Sequence, residues 1–421
     1  MTSTEREPGR PTSIRNRGAS VAVAMAVMNI ATYVYTAIAA RVLGPQAYGA
    51  FASLLAVLLV ISVIQLGIQA TAARRIAAEP AHVAQIEREI MSLTYRAAAV
   101  VGVVLLLLTP VLNALLKLDS LATASLVGLT AIPLTMVGGQ LGILQGERRW
   151  WPVAVVYVAV GLPRLLLGTG LIIWKPNELT AMIGVFLGTV VPVVVGAYAL
   201  RRKRTSVEAA EHHSMRAIAK ETLSNSQTLL AFLALVNCDV IVARNILPGH
   251  DAGLYAGGLI LTKAMLFLPQ FVVVVAFPSM STSDQRRSAL LRGLTLVVGL
   301  GVVGVLGCAL LPRLALIFVG GHEYAEIDDR LWLYATLGTV LSLLQLLIYA
   351  VLARQGTRSV YLVWAALAVL LVVASQASTL EGLLLIVLTV DSVLFVLLLA
   401  ISLHRLRLPV ASEVPPADVV M

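Results

Sequence analysis

The chain has 421 residues, 59% of them hydrophobic and only 13% charged, at a mean hydropathy of +0.90. A soluble domain carries about a quarter charged residues, and so much apolar side chain exceeds what one globular core can hide, so the natural solvent is a bilayer. The net charge of +9 does not indicate nucleic acid, because the bases fall in short clusters between apolar runs, as in the loops of a polytopic membrane protein.

The first stretch, 1–18, is a polar tail carrying Arg6, Arg10, Arg15 and Arg17. The apolar run behind it is too long for a signal-peptide core and leads into a second span, so no cleavage is expected. Twelve spans of about 20 residues follow, each enough to cross about 30 Å of hydrocarbon. They are approximately 19–40, 48–73, 92–115, 120–144, 151–173, 179–200, 222–243, 252–278, 289–311, 331–352, 359–379 and 381–403. The last break rests on Gln376, Ser378, Thr379 and Glu381. The expected organisation is all-α: a tail (1–18), a six-helix bundle (19–200), a linker (201–221), a second six-helix bundle (222–403) and a tail (404–421).

Lysine and arginine set the orientation. With the N-terminus in the cytoplasm, the outer segments hold only Arg41, Lys117, Lys175, Arg244, Arg313 and Arg330 of the 31 basic residues. The inner segments include Arg74, Arg75, Arg148, Arg149, the run Arg201-Arg202-Lys203-Arg204, Arg286, Arg287, Arg354 and Arg405. This bias predicts a cytoplasmic-membrane protein with both termini inside. In the linker, the run from Arg201 to Arg204 is placed among anionic headgroups. His212 and His213 read as a solvated loop, since no carboxylate or cysteine constellation surrounds them. Cys238 and Cys308 lie in apolar runs and read as small hydrophobes, so no metal site is expected. Between Glu79 and Tyr95, Val83, Ile86, Ile90 and Leu93 recur at helical spacing opposite charges, which predicts an interfacial helix packed on the membrane surface; Met215 to Leu223 is similar but shorter.

One stretch is written twice. Ala40 to Ala52 joins the first two spans, and Ala243 to Ala256 joins the seventh and eighth. Arg41 corresponds to Arg244, Gly49 to Gly253 and Phe51 to Tyr255. Six spans per half is an even number, so the halves share one orientation and form a parallel repeat about an axis near the membrane normal. Two such bundles leave a cleft between them, and rocking one against the other exposes it to alternate sides.

The stretch Arg41-Val-Leu-Gly-Pro-Gln-Ala-Tyr-Gly-Ala-Phe51, followed by Gln65-Leu-Gly-Ile-Gln69, resembles the polysaccharide-biosynthesis membrane proteins. These belong to the superfamily of multidrug, oligosaccharidyl-lipid and polysaccharide exporters. The second half adds Asp239-Val-Ile-Val-Ala-Arg244, Ala252-Gly-Leu-Tyr-Ala256, Leu268-Pro-Gln270 and Phe277-Pro-Ser-Met-Ser281, an order similar to that of O-antigen-type flippases. The resemblance covers the first two spans of each half well and the rest by span count. It implies a V-shaped, two-bundle protein that moves lipid-linked saccharides between leaflets. Lipid II flippases of the superfamily carry fourteen spans against the twelve read here.

A charge at the bilayer centre costs at least ~2.5–3.5 kcal/mol, so each needs a reason. Arg164, midway along the fifth span, shares a face with Tyr157, Gly161 and Gly168, small residues that leave room for an anion or for close helix packing. Lys263 lies inside the eighth span with Thr262, Phe267 and Gln270 about it, and Pro269 is expected to bend the helix. One cation per half suits a diphosphate, gripped bidentately by Arg and as a point charge by Lys; structural pairing or snorkelling is the alternative. Asp239 and Asp391 could take up H⁺ or Na⁺ for coupling, or neutralise Arg244, Lys263 or Arg164, with Arg244 the expected partner of Asp239. In the first half Asn29, Tyr33 and Thr36 align on one span and Ser62, Gln65 and Gln69 on the next; such neutral groups suit sugar hydroxyls or polar helix contacts. Arg41, Gly49, Arg244 and Gly253 are expected to set helix depth and gate the mouth of the cleft.

The leading expectation is therefore a flippase for a polyprenyl-diphosphate-linked saccharide, with no catalytic residue and no cofactor beyond a coupling ion. Its expected partners are that substrate, membrane lipids and the polymerase or glycosyltransferase machinery, with the chain acting as a monomer. A cation-coupled drug exporter would favour an acidic cavity, and the first half lacks a carboxylate deep in a span. A membrane enzyme acting on polyprenyl-linked sugars would place acidic groups in outer loops; Glu323, Glu326, Asp328 and Asp329 sit beside bases in too short a loop to build a site. A transport-dead scaffold is the remaining alternative.

Overall fold

Gly44 turns the first helix back on itself. In a computed structural model, which describes residues 12–201, 214–267, 286–352 and 357–407, α1 (Thr12–Ala78) runs through the whole duplicated stretch. Only Gly44 departs from helical geometry, at φ 70°, a left-handed conformation that glycine adopts without steric cost, and Pro45 restarts the helix with its φ already set. The two arms are antiparallel. The arm before Gly44 runs beside α5 (Trp150–Trp174), with Met28 at Gly161 and Tyr35 at Gly168. The arm after it runs beside α4 (Leu121–Gly146), with Gln65 at Gly138, Gln69 at Gly142 and Ile76 at Gly146. The glycines at every fourth position of α4 let two backbones meet, as membrane helices must where no hydrophobic effect drives their association.

The rest of the N-half comprises α2 (Val83–Leu107), α3 (Thr109–Leu115) and α6 (Glu178–Leu200). The C-half comprises α7 (Met215–Ile246), α8 (Gly249–Met265), α9 (Arg286–Leu310), α10 (Pro312–Val319), α11 (Leu331–Leu352), α12 (Thr357–Ala374) and α13 (Leu380–Arg407). Nine of the described helical stretches are long and apolar enough to cross a membrane. Counting α1 as two arms and adding the shorter α8 and α12 gives twelve span-like helical stretches among the described residues. The chain is an all-α polytopic protein of two six-helix bundles in parallel repeat.

The duplication extends further than the sequence motif. In each half the third span breaks at a proline and continues as a short helix: Pro110 opens α3 and Pro312 opens α10. A proline fits the first turn because its missing N–H would have no partner there. Side chains cap three of the helices at the Gly44 end. Ser120 accepts from the Ala122 N–H at 3.1 Å ahead of α4, Asn177 accepts from the Thr180 N–H at 2.9 Å ahead of α6, and Thr379 accepts from the Gly382 N–H at 3.1 Å ahead of α13.

The two interfacial helices take a different form. After a 3-10 turn, Pro80–His82, the apolar stripe of Glu79 to Tyr95 becomes the first turns of α2. Ile86 and Ile90 are buried with Ile68, Ala72, Ile76, Ile143 and Ile218. The stripe therefore meets protein instead of lipid, because the end of α1 and the start of α7 both pass across it. Met215 to Leu223 is likewise the start of α7, and Ser92 Oγ lies 3.9 Å from Met215 Sδ. His212, His213, Arg202, Lys203, Arg204, Pro269 and Gln270 lie outside the described residues.

Candidate functional site

The halves meet at the Gly44 end through the duplicated stretch itself. A Cβ on Gly49 would stand 2.9 Å from the Gly253 Cα, and one on Gly253 would run into the Pro45 carbonyl. Residues related by a twofold touch each other only close to its axis, so this contact marks the axis. The equivalent arginines each reach into the opposite half. Arg244 donates from Nε to the Leu116 carbonyl and from Nη2 to the Lys117 carbonyl, both at 3.0 Å. The Arg41 guanidinium lies against Gly321. Lys117 Nζ donates to the Asn245 carbonyl at 2.9 Å, and Asn245 Nδ2 to the Leu115 carbonyl at 2.8 Å.

Tyr324 closes the same end, and nothing in the sequence singled it out. It sits in the 3-10 segment His322–Arg330, fully buried, with its ring against Gly257 and Gly320. Its hydroxyl donates to the Ala40 carbonyl at 3.2 Å, and its ring stands edge-on to Tyr48 at 6.4 Å between centroids. Three acids of this segment have structural neighbours: Glu326 contacts His250 at 3.0 Å, Asp329 contacts Arg330 at 3.8 Å, and Glu323 reaches Gly44; Arg330 also contacts Glu381 at 3.3 Å.

At the opposite, basic end, α1 and α7 are joined by ions. Arg75 donates from Nε and Nη2 to one oxygen of Glu221, at 2.8 and 2.6 Å, and Arg74 donates to the other. Burial alone would raise the Glu221 carboxyl; the bonds to Arg74 and Arg75 outweigh it and hold the group below its ordinary value. One turn deeper, Thr222 donates to Thr71 at 3.2 Å.

Inside the N-half, Arg164 keeps its place on the face of Gly161 and Gly168. Those glycines are filled by Met28 and Tyr35, and the Arg164 backbone packs on Gly188 of α6, so the small residues serve helix contact. The Arg164 Nε is buried without a hydrogen-bond partner, and among the described residues no carboxylate pairs with it. Tyr35 is its electrostatic neighbour, and the Tyr35 hydroxyl donates to the Ala181 carbonyl at 2.8 Å. Two turns along α5, toward the basic end, Tyr157 accepts from Gln145 Nε2 at 3.0 Å and from Gln69 Nε2 at 3.4 Å, and Gln69 also donates to Gln145 Oε1 at 3.1 Å. Gln69 and Tyr157 are among the residues singled out from the sequence; Gln145 is not, its only signal being its helical register with the α4 glycines.

The remaining neutral residues separate. Tyr33 donates to the Phe318 carbonyl at 3.3 Å, which places it in the contact between the halves. Thr36 and Ser62 bond carbonyls of their own helix. Gln65 packs against Gly138, and Asn29 is half-buried on the first arm of α1.

The C-half gathers the opposite charge. Asp239 is buried, accepting from the Tyr255 hydroxyl at 2.9 Å and from the Val240 N–H at 2.8 Å. The expected pairing of Asp239 with Arg244 does not form, because Arg244 spends its donors on the Leu116 and Lys117 carbonyls just past α3. Asp391 on α13 is 1% exposed, and both of its oxygens lack a hydrogen-bond partner. It lies within electrostatic reach of Asp239. Lys263 is the nearby cation, acting on Asp239 through its charge without a direct ion pair. Tyr334 stacks edge-on to Tyr255 at 6.0 Å beside them. No group of three or more His, Cys, Asp or Glu arranged for a metal ion occurs among the described residues.

The arrangement is thus one isolated cation in the N-half, two carboxylates and a lysine in the C-half, and contacts between the halves at both ends. Residues 15–284 match the model of the family described as polysaccharide biosynthesis protein. No curated protein matches the chain. Among solved structures, a multidrug resistance MATE family transporter of the MOP superfamily, in an inward-facing conformation, aligns at TM-score 0.71 and 15% identity, over 91% of this chain and 98% of that one. The lipid II flippase MurJ, in an inward closed conformation, aligns at TM-score 0.70 and 11% identity, over 91% of this chain and 87% of that one. A MOP superfamily transporter from Pyrococcus furiosus, described as having a binding pocket of reverse polarity, aligns at TM-score 0.62 and 16% identity, over 92% of this chain and 94% of that one. With its twelve spans in two repeated bundles, the chain belongs to the polysaccharide biosynthesis protein family and has the MOP-superfamily transporter fold.

Proposed function

We propose that the protein is an alternating-access flippase that carries a polyprenyl-diphosphate-linked saccharide across the cytoplasmic membrane for surface polysaccharide synthesis. The basic end is the cytoplasmic one, with both termini there. The observation that carries this reading is Arg164: a half-buried cation in a membrane bundle, its Nε buried without a hydrogen-bond partner and with no carboxylate beside it among the described residues. Such a charge is costly to keep and suits an anionic cargo, whose phosphate oxygens match a guanidinium fork. The neutral trio of Gln69, Gln145 and Tyr157 combines donors and acceptors of the kind that sugar hydroxyls need. Asp239 and Asp391 take up the coupling ion, H⁺ or Na⁺, and Lys263 tunes them instead of gripping phosphate. Family membership and the likeness to a lipid II flippase support this reading.

The test is replacement in cells. Arg164→Gln should lower surface glycan by roughly tenfold or more while lipid-linked saccharide accumulates in the inner leaflet and protein abundance holds. Normal glycan display would sink the reading. A second reading, a cation-coupled exporter of small cationic molecules, is favoured by the Asp239–Asp391 pair. Under it, Asp391→Asn would sensitise cells to such molecules and Arg164→Gln would not.

A further inference from the structure

At the basic end a carboxylate occupies a site built of two guanidinium groups. Glu221 receives Arg75 on one oxygen, through both Nε and Nη2, and Arg74 on the other. Two guanidinium groups thus share one carboxylate. Arg75 is largely covered, with 14% of its side chain exposed, while 54% of Arg74 faces out, so the site is anchored on one side and open on the other. The same planar forks that hold a carboxylate bind phosphate oxygens bidentately, and a diphosphate brings more charge and more acceptors than one carboxylate.

The site also joins the two halves. Arg74 and Arg75 end α1, and Glu221 stands six residues into α7. Behind them Thr222 donates to Thr71, and Ser226 packs against Gly67. The buried cluster that includes Ile218, Ile68 and Ile76 continues the same seam. Removing Glu221 from the arginines removes charged bonds that tie α1 to α7 at this end.

We infer that Arg74 and Arg75 form a receptor for the diphosphate head of the lipid-linked substrate, and that Glu221 fills it as an internal stand-in which the substrate displaces. This rests on the lipid-linked-saccharide reading and adds an entry step to it. Substrate arriving in the cytoplasmic leaflet meets Arg74 first, takes over Arg75, and in freeing Glu221 releases the start of α7 from the end of α1. The seam opens when cargo is present and stays shut when it is not.

The full chain in phosphatidylcholine nanodiscs, spin-labelled at Arg88→Cys and Arg216→Cys, tests this with farnesyl diphosphate as probe. Binding should widen the distance between the labels. Glu221→Gln should be wide without ligand and bind the probe about fivefold tighter, and the double variant Arg74→Gln/Arg75→Gln about tenfold weaker or more. Inorganic pyrophosphate identifies the source: an equal response assigns the site to free diphosphate, and a response to farnesyl diphosphate alone assigns it to the lipid-linked form. Unchanged or weaker binding by Glu221→Gln, or equal widening by phosphatidylglycerol at the same mole fraction, overturns the inference. Glycan export that depends on Arg164 without any response at Glu221 would overturn the receptor and leave the flippase reading standing. A response at Glu221 in a protein whose deletion spares the surface glycan would do the reverse.

Discussion

Gly49 and Gly253 are sequence equivalents in the two halves, and they touch: a Cβ on Gly49 would stand 2.9 Å from the Gly253 Cα. The two copies of the repeat are therefore each other's packing partner at the twofold axis. Any motion that opens this end must part these two backbones. Glycine is what permits the contact to re-form without a barrier from side chains.

Gly253→Ala puts a methyl group into the Pro45 carbonyl. The seam should then close imperfectly, at a cost of about 1–3 kcal/mol. The expected result is a lower thermal midpoint and faster labelling of a cysteine placed at Gln46. An unchanged midpoint with unchanged labelling would show that the backbones separate at no cost.

Tyr324 separates packing from hydrogen bonding. Tyr324→Phe loses only the bond to the Ala40 carbonyl and should cost about 1 kcal/mol. Tyr324→Ala empties the space between Gly257, Gly320 and Tyr48 and should cost about 3–5 kcal/mol, as large-to-small changes at buried aromatics do. Unfolding of both variants in one detergent compares them directly.

Asp391 has no hydrogen-bond partner for either oxygen. As a buried carboxylate without bonds it opposes folding, so Asp391→Asn should leave the thermal midpoint unchanged or raise it. If the site takes the coupling ion, the same change should lower gradient-dependent transport roughly tenfold or more. Lost stability together with retained transport would assign Asp391 to structure.

Glu221 gives the basic end a pH signature. Its carboxyl is held below its ordinary value of 4.5 because the two arginine partners outweigh burial. A carboxyl depressed in the folded state contributes closure that is fully present above its ordinary value and is lost only as pH falls through the depressed one. The distance between labels at positions 88 and 216 should stay constant from neutral pH down to the ordinary carboxylate value and widen below it. Widening near neutral pH would show that another group holds the seam.

Composition and the run of apolar segments determined the solvent, the span count and the duplication. In a bilayer every backbone polar group must bond internally, so a long apolar run has almost no choice but a helix. The isolated charges Arg164, Asp239, Lys263 and Asp391 were legible for the same reason: a charge in an apolar run stands out wherever the helix goes. Pairing was another matter. Asp239 and Arg244 are neighbours in sequence, yet Arg244 turns to the carbonyls just past α3, while Asp239 meets Tyr255 and the field of Asp391 from the last helix. The stripe of Ile86 and Ile90 looked made for the membrane surface, because periodicity gives the direction of a face and not what covers it. Tyr324 and Glu221 carried no local signal, since each owes its role to residues more than a hundred positions away, and Gln145 carried only its register with the α4 glycines. Which faces met, and so which repeat packed on which, was decided only when helices distant in sequence were brought together by the few close approaches that their glycines allow.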